Sequence, residues 1–301
     1  MTNPTQAPQP DAHARCVTSS LTSAQAPRYF DTHCHAADAA FDGHHAALRA
    51  LAADSGVARA LVCTCGAQDY ARARKLCLGQ SNLSYAAGVF DMNGDFLLNG
   101  RQALEALQKE ILDAKDTVRA IGEVGIDARH LKRGLLAQAE AVLDAAVELA
   151  LACDLPLSIH ARAACGHVVR ILKRHRNTGL RGVIHAFNGS AEEARVFLGL
   201  GFKLGFGTVL LNPRAKKAAR TLASLSNEDF VLETDAPFMA AACRKEAAGS
   251  GKSAAAHAFV LALTTPEDLP RVALAAAHIR GEPLCETAAH AWANACALFG
   301  T

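Results

Sequence analysis

Six residues able to ligate a metal stand one after another at the ends of apolar, strand-like runs, and no other feature of the chain restricts its fold as tightly. His33 and His35 close Tyr29-Phe30-Asp31-Thr32-His33-Cys34-His35, and Glu123 closes Ala120-Ile121-Gly122-Glu123. His160 ends Leu157-Ser158-Ile159-His160, His185 ends Gly182-Val183-Ile184-His185, and Asp235 ends Val231-Leu232-Glu233-Thr234-Asp235. Around them, from Arg28 onward, short apolar runs alternate with longer amphipathic segments. The runs fall at 29–34, 58–64, 84–90, 118–124, 155–160, 181–187, 202–207 and 230–235. Helical patterns fill 44–55, 68–79, 101–114, 134–152, 163–176, 190–200 and 214–225. Nearly all-apolar runs separated by helices read as parallel strands buried on both faces. Right-handed crossovers can arrange them as an open doubly wound sheet or as a closed barrel. The six residues decide between the two. In a barrel the ends of the first, fourth, fifth, sixth and eighth strands converge on one mouth, whereas in an open sheet the first and the eighth lie apart. The expected fold is an α/β TIM barrel of the (β/α)8 type over 28–301, its outer ring completed by helices near 267–280 and 284–298.

A length of 301 residues suits such a barrel, which needs about 250, plus a tail. Residues 1–27 are rich in Ala, Pro, Gln, Ser and Thr without a basic start or apolar run, and read as a disordered tail rather than a leader peptide. No apolar stretch reaches the roughly 18 residues that a membrane span requires. The ten cysteines include no Cys-x-x-Cys pair, although Cys63 and Cys65 are only two apart, and most lie in apolar runs. They read as small hydrophobes in a reducing compartment, so the expected setting is cytoplasmic, with no disulfide framework and no membrane or obligate protein partner. A net charge of +2 is too small to announce a nucleic-acid binder by itself. The small-residue segment 240–256, with Gly249-Ser250-Gly251, reads as a loop over the barrel mouth.

Residues i and i+2 of a strand face the same way, so His33 and His35 are expected to point together into the barrel and Cys34 outward. Imidazoles and carboxylates form the donor set of a catalytic zinc- or manganese-type centre. Glu123 is long enough to bridge two ions, and the set exceeds what one tetrahedral zinc takes. The expected cofactor is therefore one or two divalent ions, Mg²⁺, Mn²⁺ or Zn²⁺, able to activate water and clamp the oxygens of a phosphoryl or carbonyl centre. Asp235 is the natural general base for that water. A histidine ending one strand is more often a hydrogen-bonded structural residue than a ligand; the recurrence is what reverses the reading. Other polar residues take plainer readings. Asp127 reads as a helix cap or Asx-turn, and His44, His45, His130 and His167 read as solvated loop or helix positions. The basic groups Arg170, Lys173, Arg174, His175, Arg176 and Lys216, Lys217, Arg220 read as wet outer faces of helices.

These segments resemble, in order, the motifs of the TatD-type metal-dependent hydrolases (the TatD deoxyribonuclease family) among the amidohydrolase-like barrels. Asp31-Thr32-His33-Cys34-His35 is similar to that family's opening Asp-x-His-x-His. Ile121-Gly122-Glu123-Val124-Gly125-Ile126-Asp127 and Pro156-Leu157-Ser158-Ile159-His160-Ala161-Arg162 resemble two further motifs, as do 182–189 and Glu233-Thr234-Asp235-Ala236-Pro237. The resemblance runs from about Phe30 to Phe299. It implies a (β/α)8 barrel, metal ligation by His33, His35, Glu123, His160, His185 and Asp235, and hydrolysis of DNA phosphodiester bonds, typically from an end. Asp235 and Glu123 would be catalytic, with Arg162 beside the metals holding a phosphate. Two departures fall where substrate is read. Gly88-Val89-Phe90-Asp91 stands where the family has Gly-x-His-Pro, and the usual Asn-(Arg/Glu)-Pro stretch after the eighth strand is absent around 252–256. The expected substrate is DNA or another phosphodiester or ester. Amide or ester cleavage at the same binuclear centre, as in relatives that deacylate D-aminoacyl-tRNA, is the alternative; a non-enzymatic metal-bound scaffold is a third.

Overall fold

The computed structural model describes residues 26–238 and 264–300. The expected tail, save Ala26 and Pro27, and the loop over 240–256 therefore lie outside the described residues. Eight strands follow one another around the molecule: β1 Tyr29–Cys34, β2 Val57–Cys63, β3 Leu83–Ala87, β4 Val118–Gly125, β5 Leu157–His160, β6 Gly182–Ile184, β7 Phe202–Phe206 and β8 Phe230–Leu232. Each pairs in parallel with the next. The last returns to the first just beyond its end: Asp235 N–H donates to His33 O at 2.8 Å, and His35 N–H donates to Ala236 O at 2.6 Å. The barrel is thereby nearly closed, as the ligand positions require.

Among the described residues the helices are α1 His45–Asp54, α2 Ala67–Cys77, α3 Gly100–Asp113, α4 Ala128–Lys132, α5 Leu136–Ala152, α6 Cys165–Arg174, α7 Ala191–Leu198, α8 Lys216–Ala223, α9 Leu269–Arg280 and α10 Leu284–Phe299. Their ends obey local chemistry. Ser190 and Glu193 form a capping box on α7, and Gly281, at φ 67°, closes α9 in the left-handed conformation. The short α4 is an element that apolar periodicity does not show, because its five residues hold less than two turns; Asp127 caps it.

Two layers of core follow from strand alternation. Outward residues such as Val62, Ile121, Ile159 and Phe206 pack under the helices. Inward residues Phe30, Leu61, Cys63, Ala86, Ala120, Val183 and Val231 fill the barrel, together with Ala295, Leu298 and Phe299 of α10. The α10 rings plug the N-terminal end: Trp292 and Phe299 pack on Phe30 at centroid distances of 6.1 and 6.2 Å. Asn294 Nδ2 holds the helix there by donating to Asn227 O and Phe230 O, both at 2.8 Å. That leaves the C-terminal mouth for chemistry.

Strict alternation would not point the ligands inward. Phe30 faces the barrel and Cys34, four residues on, faces the helices. A register irregularity between Asp31 and Cys34 accounts for the change of face, bringing His33 and His35 inside. β4 repeats the device: its register shifts between Ile121 and Val124, both outward, which leaves Glu123 pointing in. β6 and β8 are shorter than expected because the chain turns as pairing ends. Ala186 and Asp235 have φ of 47° and 56°, a left-handed region that suits neither residue and that the mouth contacts hold.

Gly88, directly after β3, is fixed by crowding. A Cβ there would stand 2.2 Å from Glu123 N, 2.3 Å from Gly122 C and 2.4 Å from Thr64 O, all backbone atoms. Gly88→Ala is expected to cost about 1–3 kcal/mol, as an overpacked site does, read as a lower denaturant midpoint at unchanged slope. A midpoint equal to the parent's would show that the 122–123 backbone yields freely.

Candidate metal centre

The six sequence-predicted ligands meet at the mouth in two groups that share one carboxylate. In the first, His33 Nε2 lies 3.1 Å from His35 Nε2. His35 Nε2 lies 3.4 Å from Glu123 Oε2 and 3.3 Å from Asp235 Oδ1, with His33 Nε2 at 3.9 and 3.8 Å from the same two atoms. In the second, Glu123 Oε1 lies 2.7 Å from His160 Nδ1 and 2.9 Å from His185 Nε2, and those two ring nitrogens are 3.1 Å apart. Glu123 thus turns one oxygen to each group. The His33 and His185 rings stack between them at 3.9 Å, tilted by only 9°. Donor atoms converge within 4.8 Å of one another in three overlapping triads: His33–His35–Glu123, Glu123–His160–His185 and His33–His185–Asp235.

Two pairs of imidazole nitrogens facing each other across 3.1 Å, with carboxylate oxygens beside them, fit a divalent cation. Neutral imidazoles present lone pairs that repel unless one nitrogen carries a proton, and a cation between them removes the conflict. Protonation in the metal-free cluster agrees. Burial and the neighbouring His185 hold His33 well below the usual imidazole range, so it stays neutral. Burial opposes charge on Glu123, but His185, His160 and His35 overcome it and keep the carboxyl far below its usual range. His160 is pushed up to about 9 against its burial by hydrogen bonds to Asp127 and Glu123; it holds the kind of proton that metal binding displaces.

Each ligand is held from behind. Ser158, two residues before His160 on the same face of β5, places Oγ 2.8 Å from His33 Nδ1, and Cys63 Sγ lies 3.3 Å from that nitrogen. Cys65 Sγ lies 3.8 Å from His35 Nδ1. Asp127 Oδ2 takes His160 Nε2 at 3.0 Å while its Oδ1 accepts Arg129 N–H at 2.8 Å, so the expected cap is also an anchor. Glu233 Oε1 accepts Ala186 N–H at 2.5 Å and fixes the left-handed residue after His185. Burial raises the Glu233 carboxyl well above its usual range, and Gly205 gives it room, since a Cβ there would meet Oε2 at 2.2 Å. Asp31 accepts Thr234 N–H at 3.0 Å and Thr234 Oγ–H at 2.6 Å, delivering the turn that carries Asp235.

A cavity of about 480 Å³ opens over the cluster. Phe90, in the place of the family's histidine, packs its ring 4.4 Å from His160, and Phe238 sits edge-on to His35 at 4.9 Å. Arg162 is exposed just past β5 and does not line this cavity; its backbone carbonyl accepts Ala128 N–H at 3.0 Å. The solvated reading of His130 is corrected. Its ring is fully buried, bonds Asp91 O at 2.8 Å through Nε2 and packs against Phe90 and Phe96, because α4 folds inward under Asp127. The basic residues of α6 do lie outside, Arg170 paired with Glu140 and both Arg174 and His175 with Asp144. Sequence reasoning missed Asp31, Cys63, Cys65, Ser158 and Glu233 as parts of the site. The i, i+2 spacing of Ser158 to His160 and of Cys63 to Cys65 was the one signal on offer.

The sequence matches the TatD related DNase family over residues 30–300. It is 34% identical over 212 residues to the uncharacterized metal-dependent hydrolase YjjV of Escherichia coli K12, which spans 70% of this chain and 80% of that protein. It is 27% identical over 256 residues, 83% of this chain and 91% of the other, to the 3′-5′ ssDNA/RNA exonuclease TatD of the same strain. The crystal structure of YjjV superposes with a TM-score of 0.78 at 31% identity, covering 91% of this chain and 98% of that one. With the barrel, the two donor groups and these likenesses in agreement, the chain belongs to the TatD family of metal-dependent hydrolases.

Proposed function

We propose that the protein hydrolyses phosphodiester bonds at the end of a DNA strand. The observation that carries this reading is the Glu123 carboxylate, with one oxygen in each of two adjacent donor groups, the layout of a paired-ion phosphodiesterase site. The first ion would be held by His33, His35, Glu123 and Asp235, the second by Glu123, His160 and His185. When bound, such ions supply positive charge to the oxygens of the scissile group and make water more acidic.

The remaining work belongs to the chain. Asp235 has the most accessible side chain of the two carboxylates, 14% against 6% for Glu123, and its position at the edge of the cavity suits it to take the proton of the attacking water. Asp31 and Thr234 hold it in place. Asp127 and Ser158 fix the two imidazoles they touch, so the cluster needs little reorganisation during reaction. The cavity volume suits one terminal nucleotide, whose base can lie against Phe90 and Phe238. Arg162, outside the lining, would meet a phosphate further along the strand. The exonuclease named above supports this substrate class.

A specific observation favours amide or ester hydrolysis as a second reading. Among the described residues lining the cavity the one cation is Arg72, already paired with Asp42 and bonded to Ala37 O at 2.7 Å, while Asp38, Asp69 and Asp91 share the rim. A polyanion gains little from such a rim. Purified protein assayed with Mn²⁺ or Zn²⁺ on single-stranded DNA, duplex DNA and aryl esters separates the two. The expected result is shortening of single-stranded DNA from an end; cleavage of esters or amides with intact DNA would replace the first reading by the second.

Asp235→Asn is expected to lower turnover by several orders of magnitude with an unchanged circular dichroism spectrum, since ligand and base are lost together. Near-parental turnover would assign the proton transfer elsewhere. Stability should respond to metal as well as activity does. At a free ion concentration about 100-fold above Kd, binding stabilises by about 2.7 kcal/mol, so Tm is expected to rise on adding Zn²⁺ and fall back with chelator. In His185→Ala the rise should shrink; an equal rise would place the bound ion away from this cluster. Arg162→Ala should raise KM for DNA and flatten its salt dependence, and parental behaviour would show that another group reads the phosphate.

A further inference from the structure

We propose that Cys65 is a thiolate ligand of the His33–His35 half of the centre, which makes that half a mixed sulfur, nitrogen and oxygen site of zinc type. The proposal rests on reading the cluster as a divalent-metal centre and goes beyond the six ligands of that reading.

Cys63 and Cys65 stand at the end of β2, next to the strand that carries His33 and His35, and the spacing of two turns both toward the mouth. Both border the cavity that contains Glu123 and Asp235. Their surroundings differ. Cys63 is buried, with Sγ 3.3 Å from His33 Nδ1, the nitrogen on the far side of the ring from the cluster, so it backs the imidazole. Cys65 Sγ lies 3.8 Å from Glu123 Oε2, the oxygen that serves the first group, and 3.8 Å from His35 Nδ1. Sulfur and oxygen on one tetrahedral zinc, with bonds of about 2.3 and 2.0 Å, stand about 3.5 Å apart. The observed separation is within a few tenths of an ångström of that value, a shift that one side-chain rotation supplies.

The chemical consequence is selectivity. Imidazole and carboxylate alone suit Mg²⁺, Mn²⁺ or Zn²⁺ to different degrees, whereas a thiolate favours zinc strongly over the two harder ions. As the Sγ–metal bond forms, the thiol proton passes to solvent and nothing is oxidised or reduced. A fifth donor beside His33, His35, Glu123 and Asp235 also exceeds a tetrahedral shell, which lets Asp235 detach from the ion and accept a proton.

The test uses the full chain stripped with chelator and loaded with Co²⁺, whose bond to thiolate adds an intense near-ultraviolet charge-transfer band that nitrogen and oxygen ligands do not give. The expected result is a band in the parent and in Cys63→Ser, and its loss in Cys65→Ser although that variant still binds cobalt by elemental analysis. Zinc affinity relative to manganese should fall about tenfold or more in Cys65→Ser. Cobalt bound by the parent without the band, or a band that survives in Cys65→Ser, would overturn the thiolate ligand and leave the metal centre standing. Failure of the parent to bind cobalt would overturn both. Should Cys65→Ser not fold, iodoacetamide labelling of the native parent decides: zinc is expected to protect Cys65 and magnesium not, and equal labelling in both would rule the ligand out.

Discussion

The seam between the two ends of the barrel carries the rest of the structure. Asp31 sits fully buried on β1 and accepts both the N–H and the hydroxyl of Thr234, 203 residues away. Backbone bonds from Asp235 to His33 and from His35 to Ala236 run beside it. Without this seam β1 and β8 would be the edges of an open sheet, and His33, His35 and Asp235 would not share a centre with Glu123. Two hydrogen bonds on one buried carboxyl also offset part of the cost of keeping it from water. Burial still dominates: the Asp31 carboxyl is pushed up to about 7, close to neutrality of the group itself. Contacts this distant in sequence form late and slowly, so the site is completed only when the fold is.

Most of the scaffold was legible in the sequence, because apolar runs of strand length separated by amphipathic helices leave few architectures, and the ligand positions chose one of them. The six predicted ligands come together for the same reason. What the sequence hid was how they do so. Alternation counted from Phe30 would send His33 to the helical layer, and counted from Ala120 it would do the same to Glu123; only the register breaks in β1 and β4 reverse this. Such irregularities arise from pairing with a neighbouring strand, which no local pattern records. Likewise α4 and the burial of His130 depend on Asp127 capping a helix too short to have a period of its own.

The residues behind the ligands were invisible for a different reason. Ser158 serves His33 across 125 positions and Glu233 fixes the turn after His185 across 47. A serine or a glutamate inside an apolar run looks like an ordinary strand residue until its partner is known. Phe90 shows the converse. Its departure from the family motif was plain in the sequence, and the structure supplies the meaning: a ring packed on His160 where a polar group would otherwise reach substrate. That replacement trades a hydrogen bond for a stacking surface, which alters what is recognised while leaving the donor groups intact.

Charge at the mouth is governed by what each buried acid has for company. Asp31 and Glu233 meet only hydroxyl and backbone donors, and burial lifts both toward the neutral form. Glu123 is as deeply buried yet stays ionised, because imidazoles surround it on both sides. The barrel interior therefore tolerates negative charge only where cationic or metal-capable partners concentrate, and Glu123 stands at that point. Removing it would leave the two imidazole groups facing each other with no carboxylate between, so both groups depend on one side chain. A longer side chain than aspartate is required there, since each oxygen has to reach nitrogens on different strands: His35 on the β1 side and His160 and His185 after β5 and β6. Substitution to aspartate would preserve the charge and lose that reach.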